Sequence, residues 1–204
     1  MKQTMSIGRS TSADAVRTLT VTALLSAMAY LLAFFEMPVP LSPAFAKMDV
    51  SDLPAMIGAF AIGPGCGIMI ELAKNLLQLL SSSTGGVGEL ANFLMGASYA
   101  ATAGLIYQCH KTKRTAWIAC ITASLVTGLA AALTNYYLLL PLFESFMPLQ
   151  QLIASFGEIL PFIHTKLDIV LYNILPFNIL KGLAISVITM LTYKKISYIL
   201  KGGK

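Results

Sequence analysis

The sequence predicts an all-α fold, in which six transmembrane helices form one integral membrane bundle and both chain termini lie in the cytoplasm. Composition is the first of three observations behind this prediction. Hydrophobic residues make up 56% of the 204 residues and charged residues only 11%, whereas about a quarter of the residues of a soluble domain are charged. Such a chain needs lipid as part of its solvent, and its length leaves no room for a soluble catalytic or nucleotide-binding domain.

Long apolar runs are the second observation. A membrane core about 30 Å thick takes roughly 20 apolar residues per crossing helix, and polar or glycine- and proline-rich breaks divide this chain into six such segments. The predicted spans, all within a single membrane domain of residues 1–204, cover residues 15–35, 51–62, 66–81, 88–108, 115–141 and 168–193. The predicted outer connections cover residues 36–50, 82–87 and 142–167. The second span is short for a complete crossing.

The distribution of charge is the third observation. Ten of the 14 basic residues lie before the first run, in one hydrophilic break, or after the last run: Lys2, Arg9, Arg17, Lys111, Lys113, Arg114, Lys194, Lys195, Lys201 and Lys204. Most acidic residues lie in or near the other connections: Glu36, Asp49, Asp52, Glu89, Glu144, Glu158 and Asp168. This asymmetry is the positive-inside pattern. The net charge of +5 therefore indicates membrane orientation and gives no support to a nucleic-acid partner.

Prolines and glycines set the boundaries of the predicted spans. Pro38 closes the first span because proline cannot extend a helix. Asp52 and Pro54 are typical of a helix start, and Gly63 begins a glycine- and proline-rich turn between the second and third spans. Pro141 is predicted to end the fifth span. Six crossings return the C-terminus to the side of the N-terminus, in agreement with the charge pattern.

Polar residues inside the apolar runs indicate where a ligand binds. An ionisable group at membrane depth costs at least ~2.5 to 3.5 kcal/mol unless it faces a cavity or a partner. Lys181 lies midway through the sixth span and on the same helix face as Asn178, and Pro176 frees the carbonyl of Tyr172 in the same region. We interpret these groups as part of a binding site. The alternative, in which Lys181 extends along its stem to the membrane surface, leaves Asn178 unexplained.

The third predicted span also carries polar side chains. Glu71, Asn75 and Gln78 fall on one stripe of this helix, with Lys74 beside them. Two interpretations stay open. The face could contribute to a binding site, or Glu71 and Lys74 could form an internal ion pair while the amides join neighbouring helices.

Asn92 on the fourth span and Asn135 on the fifth complete a set of amides on separate helices. Each could bind a ligand or join helices. Amide donors and acceptors with one cation suit a planar, neutral, heterocyclic ligand better than an ion. Arg9, Arg17 and Arg114 all lie at cytoplasmic edges, which argues against a phosphorylated or dicarboxylate substrate, for which bidentate arginine is favoured.

The first span repeats small residues at four-residue spacing: Ala23 and Ala27, then Ala29 and Ala33. Such a smooth face lets another helix approach closely. The pattern fits a partner protein and fits internal packing nearly as well.

Other functional classes have less support from the residues. An intramembrane enzyme would need Glu71 or Asp168 as its catalytic group, and the sequence has no HExxH, GxSxG or paired membrane aspartates. The three cysteines are scattered without metal-ligand spacing, so we expect no metal site. A structural protein without a ligand would leave Lys181 unexplained.

Several segments together resemble the S components of energy-coupling-factor (ECF) transporters, which are their substrate-binding subunits. The resemblance rests on KMDVSDLP at residues 47–54, GAFAIGP at 58–64, ELAKNLL at 71–77 and GVGELANF at 86–93. NYYLLLPLF at 135–143 and LPFNILKG at 175–182 are similar to the riboflavin-specific branch. The combined motifs cover nearly the whole chain and are much more specific than any single one.

The resemblance implies a six-helix bundle in a prokaryotic plasma membrane that binds extracellular riboflavin near its outer face. Riboflavin would be the transported ligand and not a cofactor, and the chain itself would not be an enzyme. Its partners would be a membrane coupling subunit and two ABC-type ATPase subunits. The nearest alternative is the same fold with another vitamin or a flavin precursor as its ligand.

The resemblance also implies roles for particular residues. Asn135, Asn178 and Lys181 would bind the isoalloxazine ring through hydrogen bonds, the same residues that the depth argument selects. The outer loop around Phe45, Lys47 and Met48 would act as a gate. The alanine face of the first helix, formed by Ala23, Ala27, Ala29 and Ala33, would contact the coupling subunit.

Overall fold

The computed structural model describes residues 12–38, 42–43, 47–82 and 84–200, and the side chains of residues 13, 47 and 193–200 lie outside this description. The chain forms helices α1 (Ser12–Ala33), α2 (Asp52–Ala61), α3 (Pro64–Gln78), α4 (Val87–Cys109), α5 (Lys113–Thr134), α6 (Leu140–Phe143), α7 (Leu149–Gly157), α8 (Lys166–Ile169) and α9 (Leu175–Leu200). Strands β1 (Met37–Pro38) and β2 (Lys47–Met48) pair as a short antiparallel ribbon. The predicted all-α class is confirmed.

Two of the longest helices continue through π-helical turns. Asn135–Leu139 joins α5 to α6, and Val170–Ile174 joins α8 to α9. A proline follows each turn, and its ring clashes with the carbonyl four residues earlier. That carbonyl belongs to Tyr137 before Pro141 and to Tyr172 before Pro176, the central residue of each turn. The extra residue of a π turn gives the ring space, so the helix continues.

The prediction that Pro141 ends the fifth span is therefore wrong. The helix runs on to Phe143, because the π turn accommodates the proline where a regular α-helix would end.

Three helices are long and apolar enough to cross a membrane, as judged within the described part of the chain: Asp14–Ala33, Lys113–Phe143 and Lys166–Thr192. Large apolar side chains point outward on the long helices, including Leu31, Leu105, Leu129, Leu180 and Leu191. A soluble protein rarely exposes so much contiguous apolar surface. The structure thus has the surface of a membrane bundle, while the crossing of the shorter α2 and of the more polar α3 and α4 stays a prediction.

The connections define the two ends of the bundle. Short links join α2 to α3 and α4 to α5 at the end where α1 begins, which we name the terminal end. The opposite end carries the ribbon, the turn between α3 and α4, and α7. Helix α4 packs between α3 and α5, and α5 packs on α9. This order places α4, α5 and α9 side by side around the centre of the molecule.

The short helix α2 begins near the middle of the bundle and not at its opposite end. Its first residue, Asp52, forms an ion pair with Lys181, which lies near the middle of the Lys166–Thr192 helix. The connection before α2 therefore dips into the bundle. Within this connection Ser42 exchanges hydrogen bonds with Asn173, at 2.8 and 3.1 Å. The start of α2 therefore lies at the depth in the bundle at which a buried site can form.

The predicted outer connection at residues 142–167 contains a helix that the sequence analysis missed. Leu152 and Phe156 lie on one face of α7 and are buried against Ile163 and Ile169. Their spacing of four residues is typical of a helix. The segment is too short to span a membrane, and it covers the opposite end of the bundle.

The four alanines of the first helix do not form one surface. Ala23 and Ala27 are exposed, whereas Ala29 is 0% and Ala33 is 3% exposed. Ala29 lies six residues after Ala23, so their side chains point about 240° apart around the helix axis. The prediction that Ala29 and Ala33 contact a partner is therefore wrong, because both side chains pack inside this chain.

We expect Gly67→Ala to destabilise the bundle by about 1–3 kcal/mol through overpacking. A Cβ atom at Gly67 would lie 2.8 Å from Cβ of Ala100 on α4 and 2.9 Å from the carbonyl oxygen of Ala55 on α2. The midpoint of thermal unfolding in detergent measures the effect. Gly65→Ala is the matched control, because it lies in the same helical turn and nothing stands within 4 Å of its added Cβ. Equal losses for both variants would contradict this account.

Candidate functional site

A buried network of four charged side chains lies between α2, α3 and α9. Asp52 Oδ1 is 2.8 Å from Nζ of Lys74, and Asp52 Oδ2 is 2.8 Å from Nζ of Lys181. Lys74 Nζ also lies 2.7 Å from Glu71 Oε2. The side chains of Glu71 and Lys74 are 0% and 1% exposed, and those of Asp52 and Lys181 are 10% and 13% exposed. Asp49 is a further buried carboxyl group beside this network, and its Oδ1 accepts a hydrogen bond from the backbone N–H of Ser51.

Lys74 is the anchor of this network. Its ammonium group donates to Asp52 Oδ1, Ser51 Oγ and Glu71 Oε2, and an ammonium group has three N–H donors. All three donors of Lys74 are therefore in use. We conclude that Lys74 holds α2 against α3 and has no hydrogen bond to offer a ligand.

Lys181 has a different environment. Among the described residues its ammonium group pairs with Asp52 alone, so it has two further donors. It borders a central cavity of about 10 Å³, lined by Asp52, Met95, Tyr99, Thr127, Asn178, Lys181 and Gly182. A volume of this size accommodates about one water molecule. The cavity brings together side chains from α2, α4, α5 and α9.

Hydrogen bonds close the cavity on the side of the terminal end. The hydroxyl group of Tyr99 lies 2.7 Å from the Gly182 carbonyl oxygen and 2.6 Å from Ser186 Oγ. Tyr99 is only 2% exposed and packs in an apolar cluster with Phe60 and Ile185. Tyr99 and its hydrogen-bond partners therefore close the cavity toward the terminal end.

Asn178 and Asn135 use their amide groups in the same way. Asn178 Nδ2 donates to the Ile174 carbonyl and Asn135 Nδ2 to the Ala131 carbonyl, each at 2.8 Å. An asparagine side chain carries two N–H donors and an oxygen with two lone pairs. Each side chain thus has a second donor and an acceptor beyond this bond. Asn135 is the first residue of one π turn, and Asn178 bonds to the last residue of the other.

The structure brings together two of the predicted site residues, because Asn178 and Lys181 line the same cavity. Asn135 and Asn92 do not line it. Asn135 lies about two helical turns beyond Thr127 on α5, and Asn92 about one turn from Met95 on α4, both in the direction of the opposite end. Both are half-buried. They stand between the cavity and that end of the bundle.

The predicted gate residues have separate outcomes. Phe45 lies outside the described residues, and so does the side chain of Lys47. Met48 is half-buried in β2.

Asp52 is the site residue that sequence reasoning missed. From the sequence, Asp52 is interpreted only as a helix start and as one acidic residue in or near an outer connection. The signal that could have found it is Lys181 itself, because a buried lysine needs a carboxylate partner. The sequence does not say which acidic residue supplies that carboxylate. Identifying the residue requires the depth in the bundle at which α2 begins.

The two interpretations of the α3 face are decided in part. Glu71 and Lys74 form the internal ion pair, and Asn75 Nδ2 donates 2.8 Å back to the Glu71 carbonyl oxygen of its own helix. Gly96 on α4 provides the space for the Glu71 carboxylate, which a Cβ atom at that position would strike. Helix α3 therefore supports the site from behind and lies outside the cavity lining.

Comparison with known proteins identifies relatives of this chain. A family described as ECF transporter, substrate-specific component, matches residues 17–193. The riboflavin transporter RibU of Staphylococcus aureus (strain TCH60) is 35% identical over 178 residues, which cover 87% of this chain and 89% of that relative. The riboflavin transporter FmnP of Bacillus subtilis (strain 168) is 29% identical over 184 residues, covering 89% of this chain and 92% of that relative.

A solved structure is also similar to this fold. The S component of a bacterial ECF transporter matches with a TM-score of 0.73 and 33% sequence identity, covering 92% of this chain and 99% of that chain. The likeness therefore extends over the whole bundle and is not confined to single motifs.

We expect Lys74→Met to destabilise the protein by about 3–5 kcal/mol, because two carboxylates then stay buried with one ammonium group between them. The midpoint of thermal unfolding in detergent checks this expectation. Lys113→Met is the matched control, since Lys113 is exposed at the start of α5, and we expect less than about 0.5 kcal/mol there. A Lys74→Met protein as stable as its control would show that the network does not hold the helices together.

Proposed function

The chain belongs to the substrate-specific components, or S components, of ECF transporters, and on this basis we propose that it binds riboflavin outside the cell for uptake. It is a multi-pass protein of the bacterial plasma membrane, and its family binds and transports substrates and does not catalyse reactions. Riboflavin would be the transported substrate and not a cofactor. The protein would act in a complex with other ECF subunits.

The cavity at Lys181 and Asn178 is the observation that carries this proposal. Both side chains line it, and among the residues that the structure describes both have hydrogen-bonding groups without a partner. The flavin ring carries an uncharged edge of alternating carbonyl and N–H groups. An ammonium group donates to such carbonyls, and an asparagine both donates and accepts. Because Asp52 balances the charge of Lys181, the site suits a ligand without net charge.

The ligand would extend from the cavity toward the opposite end of the bundle. Asn92 and Asn135 lie in that direction on α4 and α5. The hydrogen-bonded side chains of Tyr99 and Ser186 block the cavity toward the terminal end. A cavity of about 10 Å³ does not hold a three-ring molecule. Riboflavin binding therefore requires the side chains between these helices to move apart, and the apolar lining would then cover the ring faces.

We propose six membrane crossings with both termini in the cytoplasm, formed by α1, by α2 together with the connection that enters the bundle before it, and by α3, α4, the α5–α6 helix and the α8–α9 helix. The positive-inside distribution of lysine and arginine supports this orientation. The opposite end of the bundle, toward which the site would open, then faces the outside. Cysteine accessibility at Ser145, between α6 and α7, and at Thr112, between α4 and α5, tests it: reagent from outside should label the first position and not the second.

The complex would comprise a membrane coupling subunit and two ABC-type ATPase subunits, whose ATP hydrolysis would drive release inside. The exposed Ala23 and Ala27 of α1 offer a smooth surface for the coupling subunit. Co-purification of the tagged protein from its own membranes identifies these partners, and recovery of the chain without any ATPase would argue against the assembly.

We expect the purified protein to quench riboflavin fluorescence at stoichiometric concentrations, and Asn178→Ala to raise the dissociation constant about tenfold or more. Loss of one buried hydrogen-bond partner costs about 1–3 kcal/mol, and 1.4 kcal/mol is a factor of ten. Titration with riboflavin measures both quantities.

Ser155→Ala is the control for this titration, because Ser155 is half-buried on α7, donates to the Gln151 carbonyl oxygen of its own helix and is not among the residues that line the cavity. Its dissociation constant should equal that of the unaltered protein. A folded, unaltered protein without measurable riboflavin binding would refute the proposed function. Competition by other vitamins or flavin precursors in the same titration would identify a different ligand for the same fold.

A further inference from the structure

We propose that Asp52 is a positioning residue of the binding site, which holds the Lys181 ammonium group in place for the ligand and neutralises it. This inference rests on the proposed function, because it assigns a role inside the same site. It concerns a carboxylate at the start of α2 that acts through a lysine on α9.

The position of Asp52 is fixed without any help from Lys181. Its Oδ1 accepts a hydrogen bond from Lys74, which is itself held by Ser51 and Glu71. As the first residue of α2, its carboxylate also lies at the positive end of the helix dipole. Its second oxygen, Oδ2, is thereby presented at a defined point beside the cavity.

Lys181 has no comparable second anchor among the described side chains. A lysine side chain has four rotatable bonds and loses much conformational freedom when it is held in one position. The 2.8 Å contact with Asp52 Oδ2 restricts it to conformers that border the cavity. Within the described part of the chain, two of its N–H donors have no partner and are available to a ligand oxygen. Asp52 thus removes in advance an entropy loss that the ligand would otherwise bear.

The charge balance leads to the same conclusion. Asp52 and Lys181 contribute opposite unit charges to a cluster that also holds Glu71, Lys74 and the buried Asp49. Asp52→Asn leaves Lys181 without its carboxylate partner, and Lys181→Met leaves one ammonium group fewer for the carboxylates. The double variant, Asp52→Asn with Lys181→Met, removes one charge of each sign and so keeps the net charge of the cluster. A buried charge without its partner is more costly than an apolar replacement of the pair, so the double variant should be more stable than either single variant.

A double-mutant cycle tests the proposal, with riboflavin affinity and thermal unfolding as its two measurements. We expect Asp52→Asn to raise the riboflavin dissociation constant about tenfold or more. In the Lys181→Met background the same substitution should change it less than about twofold, because the group that Asp52 positions is then absent. A residue that only supports the fold would weaken binding equally in both backgrounds.

The control is Asp14→Asn, a comparable loss of one carboxylate charge at the exposed start of α1, at the terminal end of the bundle. We expect its riboflavin affinity to equal that of the unaltered protein.

Several results would overturn the proposal. Equal loss of affinity in both backgrounds, or unaltered affinity in a folded Asp52→Asn protein, would show that Asp52 does not act through Lys181. If Asp52→Asn fails to fold, the Lys181→Met and double variants are compared instead: riboflavin dissociation constants within about twofold of each other support the proposal, and a larger difference overturns it. Unaltered affinity in Lys181→Met would overturn both this inference and the assigned site. Absence of riboflavin binding by the unaltered protein would instead refute the proposed function.

Discussion

The structure depends on the shared carboxylate of Asp52. Taking a charged group out of water costs several kcal/mol per ion, and the attraction between partners offsets this cost only when the geometry is good and the remaining hydrogen bonds are made. Asp52 meets this condition by dividing its two oxygens between Lys74 and Lys181. The bundle must therefore bring α2, α3 and α9 to one point. A one-turn displacement of α2 would take the Asp52 carboxylate from both lysines, and a one-turn displacement of α9 would leave Lys181 without it.

This constraint accounts for irregular features elsewhere in the chain. Helix α2 is short, so that its first residue lies at the depth of Lys181. The connection before it enters the bundle and is tied to α9 through Ser42 and Asn173. Glycine at position 96 leaves space for the Glu71 carboxylate. The π turns before Pro141 and Pro176 keep the α5–α6 helix and the α8–α9 helix continuous. Asn135 and Asn178 lie in or next to these turns.

Much of this could be predicted from the sequence. The depth argument identifies Lys181 and Asn178 because a polar group inside an apolar run has few explanations. The depth argument does not identify Asp52, because a position at the end of an apolar run is equally typical of a surface residue. The alanine spacing at positions 23, 27, 29 and 33 does not reveal which pair faces inward, since that depends on where α1 meets its neighbours. Helix α7 is missed because an outer segment of a membrane protein carries no span-length signal. Cavity size depends on side-chain packing, which no pattern in the sequence specifies.

A structure of the protein purified with riboflavin tests the central claim most directly. The account predicts the flavin ring between α4, α5 and α9, with a ring oxygen within hydrogen-bond distance of Lys181 Nζ and the Lys181–Asp52 pair still in place. Lys74 should keep all three of its present partners. A flavin bound elsewhere in the bundle, or a Lys181 that has left Asp52 and points away from the ring, would contradict the account.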